Sequence, residues 1–325
     1  MRFGPVPLDE AEGAILAHSV ALPGGRLRKG AVLGPEDLAR LHAAGHAEVA
    51  AARLDPGDVE ENAAAARLAA ALAGPGLELR PAFTGRANLH AAGPGVLEVD
   101  AAAVAAANAV DPMITVATLP EWQRVAAGTM AATIKIISYA VPSAALEAAC
   151  AAARGAMRLR PPAVASAHLI VTRLEGAPEG ADAVAARLAR LGVPCTVQAV
   201  PHEARAVAAA LAASASPLRL ILTASATSDA RDVGPAALAL AGGELIRFGM
   251  PVDPGNLLFL GSLGEARVIG LPGCARSPAL NGADWVLERE ACGVHVSAAD
   301  IALMGVGGLL KEIPTRPQPR EPRVR

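Results

Sequence analysis

The sequence predicts an α/β protein of two domains: a mixed α+β leader over residues 1–160, then a three-layer domain with a parallel sheet over residues 162–308. Three observations carry this expectation. The chain has 325 residues, more than one hydrophobic core usually organises, about 250–300. Beyond Pro162 strand-like and helix-like runs alternate one for one, the pattern that right-handed crossovers turn into a parallel sheet covered on both faces. Before residue 160 the β-like segments are short, with helical stretches and Gly/Pro turns between them.

In the leader, HAEVAAARL (46–54) and MITVATL (113–119) read as strands, and Pro-Gly turns fall at residues 23, 74 and 93. A short helix starts at Pro35 with acids in its first turn, where the helix dipole favours them. A stronger helix runs from Ser143 to Arg154 and stops at Gly155, and Arg-Pro-Pro at 160–162 then breaks the chain. In the second domain AHLIVTRL (167–174), PCTVQAV (194–200) and LRLILTAS (218–225) are strands. The stretches 181–192, 203–214 and 234–243 are helices, two of them with glycine stops. Two β-like pieces broken by Pro and Gly follow, at 245–263 and 266–273. Then come the helices 283–293 and 297–305, the latter with Ser297 placed to cap it. The segment 309–325 is a Pro/Arg-rich tail or linker, since its last thirteen residues carry four prolines and four arginines and too little apolar surface to fold.

Composition narrows the function classes. Hydrophobic residues make up 53% and charged ones 18%, which excludes a disordered chain. Aromatics at 2% leave no stacking platform for single-stranded nucleic acid. A net charge of −2, with Lys29, Lys135 and Lys311 the only lysines, gives no field to recruit polyanions or membranes, so any anion must be met locally. Cys150, Cys195, Cys274 and Cys292 lie far apart with no CxxC pair, which fits reduced structural thiols. The N-terminus has no basic and then apolar leader, and no run approaches the ~18 apolar residues of a membrane span; a cytoplasmic protein is expected.

In a doubly wound sheet ligands sit outside the carboxyl ends of the strands, and three segments there resemble the molybdopterin-binding domain shared by molybdopterin adenylyltransferases and molybdenumtransferases. They are LTASATSDARDV (222–233), GMPVDPGN (249–256) and GLPGCARSP (270–278), similar in order and spacing to the family's Thr/Gly turn with its Arg-Asp-Val run and to its Pro-Gly and Leu-Pro-Gly loops. The resemblance implies a domain over 162–308 that binds molybdopterin or its nucleotide form. The alternatives it leaves open are Mg²⁺-dependent adenylyl transfer, molybdate insertion, and a non-catalytic docking scaffold. Segments 57–69 and 85–100 resemble the leader of larger bacterial proteins in which this domain precedes a molybdopterin cytidylyltransferase-type enzyme. A nucleotidyltransferase or molybdoenzyme partner and a homo-oligomer are therefore expected.

Set on that resemblance, the anion site falls at the turn from Thr223 to Ser228, where unpaired amides before a helix at about Pro235 favour a phosphate. Thr223, Ser225, Thr227 and Ser228 can add hydroxyls, although Ala224 and Ser225 stand where the family has glycines. Asp229 and Asp232, three apart, are the candidate catalytic and Mg²⁺-binding pair; Asp232 is equally a plain N-cap. Arg231 can clamp a phosphate or form an ordinary ion pair. Pro254, Gly255, Pro272, Gly273 and Arg276 supply the other loops, and Asp284 can read the pterin edge. Glu175 is the remaining acid after the first strand, and His202 reads as a surface or capping residue. Glu60, Glu61, Arg86, Asn88 and His90 form polar clusters without an assigned reaction.

Overall fold

The computed structural model describes residues 1–175 and 180–310; the expected tail from Ile313 lies outside them. The chain divides into two compact units, Met1–Gly93 with Leu97–Leu159, and Pro94–Val96 with Arg160 onward. Among the described residues no helix is long and apolar enough to cross a membrane.

The first unit is mixed α+β with two apolar cores. The smaller gathers Leu8, Leu16, Leu33 and Leu41 around the antiparallel pair Arg2–Pro7 and Glu48–Arg53. The larger lies under a four-stranded antiparallel sheet, ordered Ile114–Thr118, Met130–Ile136, Arg86–Ala91, Leu77–Leu79. Helix Glu61–Leu72 buries Ala64, Ala65, Leu68, Ala69 and Leu72, one helical stripe, into that core, and the small alanines let it pack closely. The helix expected from Ser143 runs Ser143–Ala152, and Gly155 follows at φ +63°, a left-handed position glycine fills without strain.

The second unit is built on one six-stranded sheet. Its strands are β1 (Ala167–Arg173), β2 (Cys195–Pro201), β3 (Leu218–Leu222), β4 (Glu244–Phe248), β5 (Phe259–Leu263) and β6 (Ala266–Leu271), in the order β2-β1-β3-β6-β5-β4. Its helices are α1 (Ala181–Ala189), α2 (Ala204–Ala213), α3 (Val233–Leu240), α4 (Gly282–Ala291) and α5 (Ala298–Leu303). The sheet is mixed, not wholly parallel as expected. β2, β1, β3 and β6 are parallel neighbours, whereas β5 alone runs the opposite way, antiparallel to both β6 and the outermost strand β4. The cause is the connection from β4 to β5. Without a helix of its own, it can only return the chain antiparallel.

Both faces of the central strands are apolar, as a covered sheet requires. Ile170, Ile221, Val268 and Phe259 share a core with α2 and α3. Leu169, Val171, Leu220 and Leu222, which alternate with them, are equally buried, and α1 packs on β1 and β2 while α4 packs on β6. Gly270 in β6 exists for this core: a Cβ there would stand 1.8 Å from the Phe259 ring.

Candidate functional site

Register places the three family-like loops on one edge. Ile221 of β3 pairs with Gly270 of β6, Gly270 with Phe259 of β5, and Phe259 with Phe248 of β4. The chain therefore leaves β3 at Leu222, leaves β6 at Leu271 and crosses from β4 to β5 at the same end of the sheet. β1 and β2 end there too, at Arg173 and Pro201. Chain order reverses beside β1, between β2 and β3, and such a switch point opens a crevice.

The first loop closes on itself through its threonines. The buried Thr223 hydroxyl donates to the Ser225 carbonyl at 2.8 Å and lies 3.1 Å from the Thr227 hydroxyl. Because its one proton is committed, Thr227 must donate to Thr223. Both hydroxyl protons are spent inside the turn, which leaves Ser225 and Ser228, both exposed, as hydroxyl donors to a ligand. The Ala224 amide donates to the Thr172 hydroxyl at 2.7 Å. The amides of Ser225, Ala226 and Thr227 make no hydrogen bond to any described residue. No residue of the turn has a positive φ, so Ala224 and Ser225 carry no backbone penalty for replacing glycines.

Asp232 caps α3, which starts at Val233, two residues before the expected Pro235. One carboxylate oxygen accepts from the Val233 amide at 2.8 Å and the other from the Ser228 amide at 3.2 Å. Asp229 faces Arg231, accepting from its amide and its guanidinium. This contact holds the Asp229 carboxyl below its ordinary range. The Arg231 reading as an ordinary ion pair is the geometry present, on a fully exposed surface. Among the described residues no group of three His, Cys, Asp or Glu side chains is placed to hold a metal ion.

The loop after β6 is tied to this turn, and the loop between β4 and β5 to the start of α4. Arg276 donates to the Thr223 carbonyl at 2.6 Å, which joins the loop after β6 to the loop after β3, and burial lowers its pKa. Gly273 is open; a Cβ there would meet only the Arg276 guanidinium, at 3.5 Å. Gly255, at φ +143°, lies so close to the start of α4 that a Cβ would fall 2.8 Å from the Gly282 amide, and that amide donates to the Pro254 carbonyl. The Asp253–Pro254 peptide is cis.

Arg187 of α1 organises the loop after β6 from beneath. Its guanidinium donates to Asp284 through Nε, to the Ala183 and Ala275 carbonyls through Nη1, and to the Ser277 and Ala279 carbonyls through Nη2. All five of its N–H groups are used. Asp284, expected to read a pterin edge, is instead 5% exposed, with one oxygen on Arg187 and the other accepting from the Asn281 amide in a capping box. It is a structural carboxylate.

Sequence reasoning missed Arg187, although a signal was present: it sits between Val184 and Leu188 on the buried stripe of α1, where a charge needs a partner. His202, read as a surface or capping residue, bridges strand ends. Its Nδ1 lies 2.8 Å from the Thr172 hydroxyl and its Nε2 3.0 Å from the Ser225 hydroxyl. Glu175 is exposed and away from these contacts. Of the four cysteines none forms a disulfide; Cys274 is half-buried and Cys292 buried. In the first unit Glu60 caps helix Glu61–Leu72. Glu61 lies 3.7 Å from Lys135, and burial raises its pKa. Arg86 reaches Thr133. Asn88 Oδ1 and His90 Nδ1 are buried without a partner among the described residues.

Three comparisons complete the description. Residues 5–53 match the family model described as a domain of unknown function (DUF8806). No curated protein matches the chain. Among solved structures the chain is similar to the molybdopterin biosynthesis MoeA protein from Pyrococcus horikosii, at 14% identity and a TM-score of 0.32, over 90% of this chain and 76% of that one.

Proposed function

We propose that the second unit binds molybdopterin or its nucleotide form and serves molybdenum-cofactor biosynthesis or delivery, with a nucleotidyltransferase or molybdoenzyme as the receiving partner. The observation that carries this reading is the meeting of the three family-like loops on one sheet edge, joined by Arg276 and the contact of Gly255 with Gly282. The phosphate end of such a ligand fits what is there: three amides without an internal acceptor and the hydroxyls of Ser225 and Ser228. A phosphate, which only accepts hydrogen bonds when ionised, needs that donor set.

Binding is favoured over Mg²⁺-dependent adenylyl transfer or molybdate insertion because the oxygens of Asp229 and Asp232 already accept from Arg231, Val233 and Ser228. A metal would have to displace those donors. The test is a melt of the full chain with and without molybdopterin, joined to mass spectrometry of the denatured protein for a retained pterin. Ligand at about a hundred times its Kd stabilises the native state by ~2.7 kcal/mol, raising the midpoint of the second unit by about 5–10 °C. No shift and no retained pterin would sink the reading.

A further inference from the structure

We propose that Thr172, His202 and Ser225 form a one-way hydrogen-bond relay that presents the Ser225 hydroxyl proton to a phosphate oxygen, with His202 as the positioning residue. The proposal rests on the phosphate-binding part of the reading above. Thr172 comes from the end of β1, His202 from just beyond β2 and Ser225 from the loop after β3, so the relay spans the point where chain order reverses.

Its direction follows from counting protons. Thr172 is 2% exposed, and its hydroxyl oxygen already accepts from the Ala224 amide at 2.7 Å. Its own proton needs an acceptor, and among the described residues the one within reach is His202 Nδ1, at 2.8 Å. The opposite assignment, Nδ1–H donating to Thr172, would strand a buried hydroxyl proton, which folded proteins avoid. Neutral His202 therefore carries its proton on Nε2 and donates it to Ser225 Oγ at 3.0 Å. With its oxygen occupied as an acceptor, exposed Ser225 turns its proton outward.

This polarity has a chemical meaning. A Ser–His pair running the other way would have the imidazole accept the serine proton and act as general base for a nucleophile. Here the imidazole supplies a proton to the serine oxygen, so the serine is a donor. It selects acceptor-only groups, the phosphoryl oxygens of a phosphate or pyrophosphate ester, over ligands that bring their own N–H.

Long-range ¹H–¹⁵N spectra of the full chain with labelled histidine read the tautomer directly. His202 is expected as Nε2–H, and Thr172→Val, which removes the donor to Nδ1, is expected to release it to a mixture. Titration with inorganic phosphate and pyrophosphate supplies the binding readout. Ser225→Ala and His202→Ala should each weaken binding by about tenfold. His202→Gln, which keeps an N–H donor near the Nε2 position, should recover most of that loss. A phosphate-free pterin should bind all four proteins alike. An Nδ1–H tautomer, or Ser225→Ala binding pyrophosphate as tightly as the unmodified chain, overturns the relay. Pterins failing to bind while pyrophosphate still responds would overturn the molybdopterin reading and leave the relay standing.

Discussion

Replacing Arg187 with Met should destabilise the second unit by about 3–5 kcal/mol, and the number can be built from its contacts. Arg187 is 4% exposed and Asp284 5%, so removing the guanidinium leaves a carboxylate buried without its counter-charge, a change that costs about 3–5 kcal/mol in proteins generally. The Ala275, Ser277 and Ala279 carbonyls lose donors as well; water can take over much of that role at the part-buried Ser277 and Ala279, and the buried Ala275 carbonyl places the cost toward the upper end of the range. Against a domain stability of roughly 5–15 kcal/mol, the loss is large. Removing both partners tests the cause. In Arg187→Met/Asp284→Ala no charge is left buried, so the double variant should be less destabilised than the two single costs added, with a coupling of about 2 kcal/mol or more. Urea unfolding followed by Trp285 fluorescence, in a Trp122→Phe background, isolates the unit that carries the pair. Costs that add, or an Arg187→Met variant within 1 kcal/mol of the parent, roughly the size of an exposed pair, would refute the account.

Further outcomes follow from the same geometry. Asp232→Ala removes the cap of α3 and should cost about 1 kcal/mol, while Asp232→Asn, which keeps an acceptor, should cost only a few tenths; urea midpoints decide this. Gly270→Ala drives a methyl to within 1.8 Å of the Phe259 ring; it should cost about 1–3 kcal/mol or more in the same assay, partly recovered by Phe259→Leu. Burial pushes the Cys292 thiol up to about 12, so alkylation of the native chain at pH 8.5 should spare it until urea unfolds the second unit. The unfolded thiol ionises from about pH 8.5 while the folded one keeps its proton. Its contribution is therefore complete below that pH and declines as pH rises toward 12, by at most about 1.4 kcal/mol per pH unit.

Much of the second unit was legible because each strand and helix announces itself locally. Gly192 and Gly242 close their helices at φ +75° and +84°, and Asp232 and Ser297 cap theirs. The antiparallel edge was missed although the clue was in the chain: between Phe248 and Phe259 lies a Pro/Gly loop with no helix to carry a parallel crossover. The site was legible as loops and not as roles. Thr223 and Thr227 look like ligand hydroxyls in sequence, and only their distance from each other shows their protons committed inward. Asp284 reads as a ligand-facing helix acid until Arg187, 97 positions earlier, is found against it. Thr172, His202 and Ser225 come from three strand ends, and no local pattern connects them before the sheet order is known.

The backbone of the 223–232 turn bears on how this site can change over evolutionary time. A phosphate turn that depends on left-handed glycines is frozen, since nearly every substitution strains it. Here every residue keeps an ordinary φ, and Ala226 and Ala230 point into solvent. New side chains can be tried at those two positions one at a time without refolding the turn. Gly234, by contrast, is fixed, because a Cβ there would come within 2.8 Å of the Phe259 ring. The side chains this turn presents can thus drift through its alanines while the scaffold beneath them stays put.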